Sequence, residues 1–381
     1  MTRQSVFLNG TWDPGFQPLA ETFVQGFAAR GEVGAAVCVY LDGRKVADLW
    51  GGCRDQAGTR PWEADTLVGM MSVTKGMAAL CAHALIEDGV LALDAPVSSY
   101  WPEFAQAGKA AITVQQLLSH HAALIYADAA PEGSMFDWNA VIAALELQAP
   151  EWQPGTLGAY HSSTYGYLVA ELIRRAAGRS LRELLRMRFT APLGIDFFIG
   201  MDPEQEARAA EIIPNPDSAS LKAFADPTTK LGRAQRLRIK GPELFNSPGY
   251  RRGFLPSSNG HGNARSVARL YGALARGGEI DGIRVLSETT VCALRAEQWS
   301  NLCGLTDRHY RMGMGLFLNC PPLVPLGPNP SSFGHPGVGG AVGFADPDLR
   351  LSFSYSPNFM CAGAGVGERC AALIEATYRC V

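Results

Sequence analysis

The sequence SVTKGMAALCAHALI occupies residues 72–86 and sets the structure of this part of the chain. Its apolar residues recur at i, i+3, i+4, i+7 and i+8, which is typical of a helix with one buried face. The helix is predicted to begin at Ser72 and to end near Gly89. Ser72 and Lys75 are three positions apart, so their side chains lie one turn apart on the same face. The apolar stripe consists of Met77, Leu80, Cys81, Ala84 and Leu85.

This Ser-x-x-Lys spacing suits a nucleophile and its base. A serine hydroxyl becomes reactive when a neighbouring group accepts its proton, and a lysine amine can do so if burial lowers its pKa. The free N–H groups at a helix start also favour the negative charge that develops on an attacked carbonyl. Taken alone, the motif is equally compatible with a capping serine and an exposed lysine.

Upstream of this helix the sequence predicts a helix followed by a β-hairpin. Leu19, Phe23 and Phe27 recur every four residues, as on the buried face of a helix. Residues 33–51 then form two apolar runs around Asp42-Gly43, a dipeptide typical of hairpin turns.

Downstream, residues 91–160 carry short helical patterns and no strand alternation, which predicts a helical insertion. Further helices are predicted before Gly178 and Gly277, and residues 201–262 are polar and predicted to be long surface loops. Strand alternation returns in the last third of the chain, which ends in an apolar helix. These predicted elements are the strands Met312–Leu318, Val342–Phe344 and Leu351–Tyr355 and the helix Cys370–Tyr378.

The predicted elements give an α/β (α+β) fold, in which an antiparallel sheet flanked by helices carries an inserted helical lobe. The sheet takes strands from both ends of the chain. We therefore expect residues 1–90 and 180–381 to form a discontinuous α/β domain and residues 91–179 a helical domain. The active site is expected in the cleft between them, because ligands commonly bind at domain junctions.

Composition favours a globular protein that acts on small molecules. Apolar residues make up 47% of the 381 residues and charged residues 18%, with mean hydropathy near zero. A net charge of −3 gives no reason to expect nucleic acid or an anionic membrane as a partner. No run approaches the roughly 18 apolar residues of a membrane span. Oligomeric state is left open.

Nine scattered cysteines include no Cys-x-x-Cys pair, so neither a disulfide framework nor a zinc site is predicted. The start of the chain, MTRQSVFLNGTW, lacks the apolar stretch of a signal peptide. We therefore expect a cytoplasmic protein whose cysteines remain thiols. No metal and no cofactor is expected, since the chain has no metal-binding His-Glu-x-x-His and no nucleotide-binding glycine motif.

Two later motifs complete a constellation with Ser-x-x-Lys. Tyr160-His161-Ser162 precedes a predicted helix, and Gly334-His335-Pro336-Gly337 precedes a predicted strand. With Leu117-Leu118-Ser119-His120 and Pro256-Ser257-Ser258-Asn259-Gly260, these motifs make the chain resemble the class C β-lactamase and penicillin-binding-protein superfamily of serine hydrolases. It resembles most closely the family VIII carboxylesterases within that superfamily. The resemblance covers roughly residues 20 to 378.

The resemblance implies a role for each matching residue. Ser72 would be the acylated nucleophile, and Lys75 and Tyr160 would share the work of the base. Which of those two is the formal base stays open, because coupled groups need not titrate separately. The backbone N–H groups of Ser72 and Val338 would form the oxyanion hole, and Gly337 would let the backbone approach the substrate closely.

Two positions depart from the family pattern, and both bear on substrate choice. His335 replaces the lysine that attracts a substrate carboxylate in the β-lactamases, and a histidine is mostly neutral at pH 7. Ser162 replaces an asparagine that contacts amide-bearing substrates, although its hydroxyl could still bond Lys75 or a substrate carbonyl. Both residues are expected to contact substrate, and both departures favour uncharged esters.

The function expected from the sequence is hydrolysis of short- to medium-chain carboxylic esters through an acyl-enzyme on Ser72. One alternative is an amide-directed enzyme of the same type, such as a β-lactamase, a D-amino-acid peptidase or amidase, or an amide-oligomer hydrolase. The expected partner in either case is a small-molecule ester or amide. A remote alternative is a non-catalytic scaffold of the same fold, since fold does not fix activity.

Overall fold

The computed structural model describes residues 8–363 and 365–381. Its strands are β1 (Leu8–Trp12), β2 (Gly34–Leu41), β3 (Arg44–Gly52), β4 (Val68–Gly69), β5 (Phe197–Ile199), β6 (Gly260–Gly262), β7 (Glu279–Ile280), β8 (Ile283–Arg284), β9 (Trp299–Leu302), β10 (His309–Met312), β11 (Phe317–Leu318), β12 (Phe333–Pro336), β13 (Val342–Asp346) and β14 (Leu351–Pro357).

The α-helices are α1 (Gln17–Ala29), α2 (Val73–Glu87), α3 (Val114–Leu118), α4 (Trp138–Leu147), α5 (Thr164–Ala177), α6 (Leu181–Leu185), α7 (Ala191–Leu193), α8 (Pro203–Ala207), α9 (Ala219–Ala225), α10 (Lys230–Ala234), α11 (Pro248–Arg252), α12 (Ala264–Ala275), α13 (Glu288–Leu294) and α14 (Gly367–Tyr378). Short 3-10 turns occupy Pro14–Phe16, Val97–Ser99, Pro102–Ala105 and Pro242–Asn246, and a π turn occupies Arg186–Thr190.

The main sheet joins the two ends of the chain. Over the described residues it has nine strands in the order β1-β3-β2-β14-β13-β12-β11-β10-β9, and every neighbouring pair is antiparallel. The hairpin between β2 and β3 turns at Asp42 and Gly43, whose φ angles of +48° and +81° suit a tight hairpin turn. The predicted hairpin and the predicted antiparallel sheet are confirmed.

Helices cover both faces of the sheet. Successive residues of a strand point to opposite faces, so an apolar strand needs a packing partner on each side. On β2, Val37 and Val39 belong to the apolar cluster that contains α1 and α14 residues. Cys38 and Tyr40 belong to the other cluster, together with residues of α2 and α12. The central strand is therefore apolar at successive positions, as expected for a strand buried on both sides. This helix–sheet–helix layering confirms the predicted α/β class.

The predicted helical insertion is helical in the structure. Across residues 91–179, α3, α4 and α5 are the regular elements described, apart from 3-10 turns and a single bridge between Pro96 and Thr113. Helix α5 packs against both α2 and α4, and Gly178 ends it with φ +63°, as the glycine signal predicts. The domain boundaries at residues 90 and 180 remain a prediction.

Two sequence interpretations were wrong in detail. Residues 312–318 were expected to form one strand, but the chain turns between β10 and β11. A side chain at Gly315 (φ +89°) would place its Cβ only 2.4 Å from Ala79 Cβ, so the chain bends where it meets α2. The segment 201–262 was expected to be loop, yet it contains four short helices. Those helices are α8, α9, α10 and α11, and their N-caps are Asp202, Ser218, Thr229 and Ser247.

A buried lysine fastens the helical insertion. Lys109 is completely buried, and its ammonium donates to the carbonyls of Gln106, Glu146 and Gln148 at 2.8, 2.8 and 2.7 Å. The carbonyls at the end of α4 lack partners within that helix, so Lys109 supplies donors that the fold would otherwise lack.

We expect Lys109→Met to lower the free energy of unfolding by about 1–3 kcal/mol, because it removes the ammonium donor from the partly buried carbonyls of Glu146 and Gln148. Urea denaturation followed by circular dichroism measures the change. The exposed Lys222 provides a matched control, since Lys222→Met should shift stability by less than about 0.5 kcal/mol. Equal midpoints for the two variants would contradict this role of Lys109.

Candidate active site

Ser72 is held at the start of α2 by its neighbours. Met71, immediately before it, adopts a left-handed backbone conformation with φ +47°, which is uncommon for a residue with a side chain. The hydroxyl of Thr74 donates to the Met71 carbonyl at 2.5 Å and accepts the N–H of Gly260 at 2.9 Å. These bonds fasten the first turn of α2 to β6, so the position of Ser72 is set by the fold.

Lys75 lies beside Ser72, as the spacing predicts. Its Nζ is 3.1 Å from Ser72 Oγ and donates to the carbonyl of Ser257 at 2.7 Å. The side chain is completely buried, and this burial lowers the pKa of Lys75 to about 7. At neutral pH the amine is therefore present in both protonation states, as required of a group that accepts a proton from a hydroxyl.

Ser257 belongs to the site through its backbone, which the sequence interpretation did not identify. Its hydroxyl donates to the Ser163 carbonyl at 2.7 Å and accepts the Gly166 N–H at the same distance. These two bonds orient the residue so that its carbonyl faces Lys75. Pro256-Ser257-Ser258-Asn259-Gly260 was noticed as a motif, but a backbone role leaves no chemical signature in a side chain.

Tyr160 completes the group of three residues. Its hydroxyl hydrogen-bonds the Ser72 side chain, and burial of the phenol raises its pKa. The Lys75 amine lies 5.1 Å from the ring centroid, over the ring face. The structure therefore gives the phenol Ser72 as its hydrogen-bond partner. Ser72, Lys75 and Tyr160 thus meet at one point.

His335 does not occupy the predicted position in the cleft. It is completely buried, and the described residues that line the cavity include its neighbour Pro336 but not His335. Its Nδ1 lies 2.7 Å from the Pro336 carbonyl, and its ring packs 5.1 Å from the Phe317 ring and 6.0 Å from the Tyr160 ring. The residue faces the helix side of β12 and supports the wall behind Tyr160. His335 is therefore separated from the cavity by its neighbours, and the predicted substrate contact has no support from this position.

Burial also sets the charge of His335. It lowers the pKa of the imidazole to about 3, with a further lowering by the nearby Lys75 charge. The surroundings therefore favour the neutral imidazole that was expected at pH 7, in a side chain that does not line the cavity.

The turn after β12 brings Gly337 and Val338 to the start of α2. A Cβ on Gly337 would lie 2.5 Å from the Met70 carbonyl oxygen, so only glycine permits this approach. Over the part of the chain that the structure describes, the N–H groups of Ser72 and Val338 bond no protein acceptor. Both residues line the cavity, so these two donors are free to bond a substrate oxygen.

Ser162 also lines the cavity but does not bond Lys75. Its hydroxyl accepts a hydrogen bond from Gln235 Nε2 at 2.8 Å. Gln235 follows α10, in the segment that the sequence interpretation described as loop. Ser162 therefore links the helical insertion to this segment at the edge of the site.

The cavity in front of Ser72 has a volume of about 180 Å³ and is walled largely by the segment 219–258 and by aromatic residues. Such a lining suits an apolar substrate portion, with a few polar groups to orient it. Most of these aromatic residues lie in stretches without a motif, so sequence patterns could not identify them. They include Tyr167, Phe224, Phe245, Tyr250, Tyr310 and Phe317.

Comparison with known proteins places this site in a family. A family model described as beta-lactamase matches residues 19–364. The chain belongs to the β-lactamase family. Its fold within that family is closely similar to a solved family VIII carboxylesterase, with a TM-score of 0.90, 35% identity and coverage of 98% of this chain and all of that one. The predicted resemblance is confirmed.

Two relatives of the β-lactamase family carry names that include esterase activity. An esterase/beta-lactamase from Mycobacterium tuberculosis, LipL, is 35% identical over 92% of this chain and 82% of its own length. Esterase EstB from Burkholderia gladioli is 27% identical over 94% of each chain.

Residues 8–363 and 365–381 contain no group of three or more His, Cys, Asp or Glu placed to hold a metal ion. Within the same ranges, no helix has both the length and the apolar character needed to cross a bilayer.

The pKa of Lys75 predicts how Ser72 reacts with a fluorophosphonate probe. Because Lys75 accepts a proton only when neutral, the labelling rate should fall about tenfold per pH unit below pH 6 and level off above pH 8. The midpoint should lie near pH 7. Labelling followed by intact-protein mass spectrometry gives the rate. A labelling rate that is constant from pH 5.5 to 8.5 would show that Lys75 is not the titrating group.

Proposed function

We propose that this protein hydrolyses short- to medium-chain carboxylic esters through an acyl-enzyme on Ser72. One observation carries the proposal: Ser72 Oγ lies 3.1 Å from the buried amine of Lys75 and opens onto a cavity walled by aromatic residues. The esterase names of the two relatives and the family VIII carboxylesterase structure support the choice of ester over other acyl compounds.

In the acylation step, Lys75 Nζ accepts the proton of Ser72 Oγ as the oxygen forms a bond to the ester carbon. The carbonyl oxygen becomes negatively charged and is stabilised by the N–H groups of Ser72 and Val338. The bond to the alcohol oxygen then breaks, and that oxygen takes a proton from the Tyr160 hydroxyl. Lys75 returns the proton that it holds to Tyr160, so the charges balance.

In the deacylation step, water attacks the acyl carbon and gives its proton to the Tyr160–Lys75 pair. The acid leaves as Ser72 Oγ regains a proton. Lys75 is the formal base in this scheme, because burial lowers the pKa of its ammonium to about 7 and raises the pKa of the Tyr160 phenol.

The remaining site residues have supporting roles. Gly337 lets the acyl group lie close to the backbone because it has no side chain. Ser162 contacts the substrate at the edge of the cavity. His335 acts indirectly, by packing behind Tyr160.

A second candidate function is hydrolysis of a cyclic amide, since the name of one relative includes beta-lactamase as well as esterase. Position 335 carries no lysine, and Ser162 offers a hydroxyl in place of an amide, so contacts to an amide-bearing substrate are fewer. Esters are therefore the preferred class.

We further propose that the protein works in the cytoplasm as a catalyst for small molecules, without nucleic acid or membrane partners. All nine cysteines are free thiols in the structure, which is typical of a reducing compartment.

Replacement of the nucleophile tests the proposal directly. Ser72→Ala should lower the initial rate on p-nitrophenyl butyrate by at least about 10³-fold, because among the described residues Ser72 carries the one hydroxyl that hydrogen-bonds Lys75 Nζ. The melting temperature should change little, and the exposed Ser300→Ala should keep the wild-type rate. Wild-type turnover by Ser72→Ala would refute the acyl-enzyme. A wild-type rate on a chromogenic cephalosporin that matches the ester rate would favour the second candidate.

Lys75 and Tyr160 are expected to act as a unit. Lys75→Ala and Tyr160→Phe should each lower kcat by at least about 10²-fold, and the double variant should lose far less than the product of the two losses. The matched controls Lys222→Ala and Tyr100→Phe change residues whose side chains do not line the cavity, so they should keep kcat. Fully multiplicative losses would mean that the two residues serve separate steps.

A further inference from the structure

Two arginines give the cavity a positive charge that the sequence motifs did not indicate. Arg238 and Arg308 both line it, whereas no Asp or Glu appears among the described lining residues. Neither arginine forms an ion pair with any described carboxylate. Because a guanidinium stays charged at all working pH values, the cavity attracts anions even though position 335 carries no lysine.

Arg238 is held in a way that leaves its donors available. Its guanidinium lies 4.6 Å from the Phe245 ring centroid and 5.6 Å from that of Phe224. Its side chain makes no hydrogen bond to another described residue, and partial burial lowers its pKa. Ring contacts engage the face of a guanidinium and leave its in-plane N–H groups free, and a partly buried cation without a counter-charge favours an incoming anion.

A chain of contacts connects Arg238 to the nucleophile. Phe245 packs 5.5 Å from the Tyr250 ring, and the Tyr250 hydroxyl lies 3.5 Å from Met71 Sδ, next to Ser72. Arg238 is therefore on the Met71 side of the site.

Arg308 lies on a different wall. It bonds the Tyr310 hydroxyl, and Tyr310 packs 5.2 Å from Phe317, which in turn packs 5.5 Å from Tyr160. Tyr160 protonates the departing alcohol in the proposed mechanism, so the wall that contains Arg308 faces the alcohol portion of the ester. The wall that contains Arg238 then faces the acyl portion.

We propose that Arg238 binds a carboxylate at the far end of the acyl chain, so that the preferred substrates are monoesters of dicarboxylic acids. This inference rests on the proposed esterase function and names its substrate class. A planar guanidinium can bond both oxygens of a carboxylate, which fixes the acyl chain as well as attracting it. The uncharged esters expected from position 335 become the poorer substrates.

The test compares two esters of equal acyl length, mono-4-nitrophenyl adipate and 4-nitrophenyl hexanoate. In the wild type, kcat/KM should be higher for the adipate. In Arg238→Gln the adipate-to-hexanoate ratio should fall at least tenfold, with hexanoate turnover within about threefold of wild type, and Arg238→Lys should lie between. Arg186→Gln, at an exposed arginine outside the cavity, should leave the ratio unchanged.

A binding measurement separates failure of this inference from failure of the proposed function. Titration calorimetry of Ser72→Ala with monomethyl adipate should give binding that weakens at least tenfold in Ser72→Ala/Arg238→Gln and is absent for methyl hexanoate. A ratio unmoved by Arg238→Gln in an active esterase overturns the inference alone. Inactivity on both esters refutes the esterase, and the titration then still decides whether Arg238 binds the carboxylate.

Discussion

The burial of one amine organises the site. Transfer of an ammonium group out of water costs several kcal/mol, and Lys75 is completely buried. Among the described residues, its polar partners are Ser72 Oγ and the Ser257 carbonyl alone. This cost is what brings the amine close to neutrality at physiological pH. The start of α2 and the stretch around Ser257 must therefore come together accurately for the nucleophile to have a base.

The main sheet positions these groups through the strand β12. The strand β12 packs against α2, and the turn after it carries Val338 to the N-terminal end of the helix. Since β12 sits within the antiparallel ladder, its position is fixed on both sides, by β11 and β13. The donors expected to hold an oxyanion are thus backbone groups at the start of α2 and in the turn after β12, which a reaction need not reposition.

Sequence patterns predicted most of the fold and the reactive centre, because both depend on periodic burial and on residue chemistry. The stripe on α2, the hairpin at Asp42-Gly43 and the joining of Ser72 with Lys75 are such cases. The patterns failed at Gly315, where close contact with α2 bends a chain that its periodicity predicts to be a strand. They also failed at Ser257, where a backbone carbonyl rather than a side chain bonds Lys75. His335 was misplaced because a motif identifies a position on a strand but not the face to which its side chain points.

Arg238 and Phe245 lie between α10 and α11, outside the main sheet, and Phe245 stands on the 3-10 turn Pro242–Asn246. The reactive Ser72 and Lys75 stand at the start of α2. The aromatic part of the wall that contains Arg238 belongs to the core, since Phe245 and Tyr250 share an apolar cluster with α2, whereas Arg238 is only partly buried. A substitution of Arg238 removes no buried core side chain, so descendants of this gene can change the acyl group that they accept while the reactive centre stays intact. In evolutionary terms, this one position gives the fold mutational freedom in its choice of substrate.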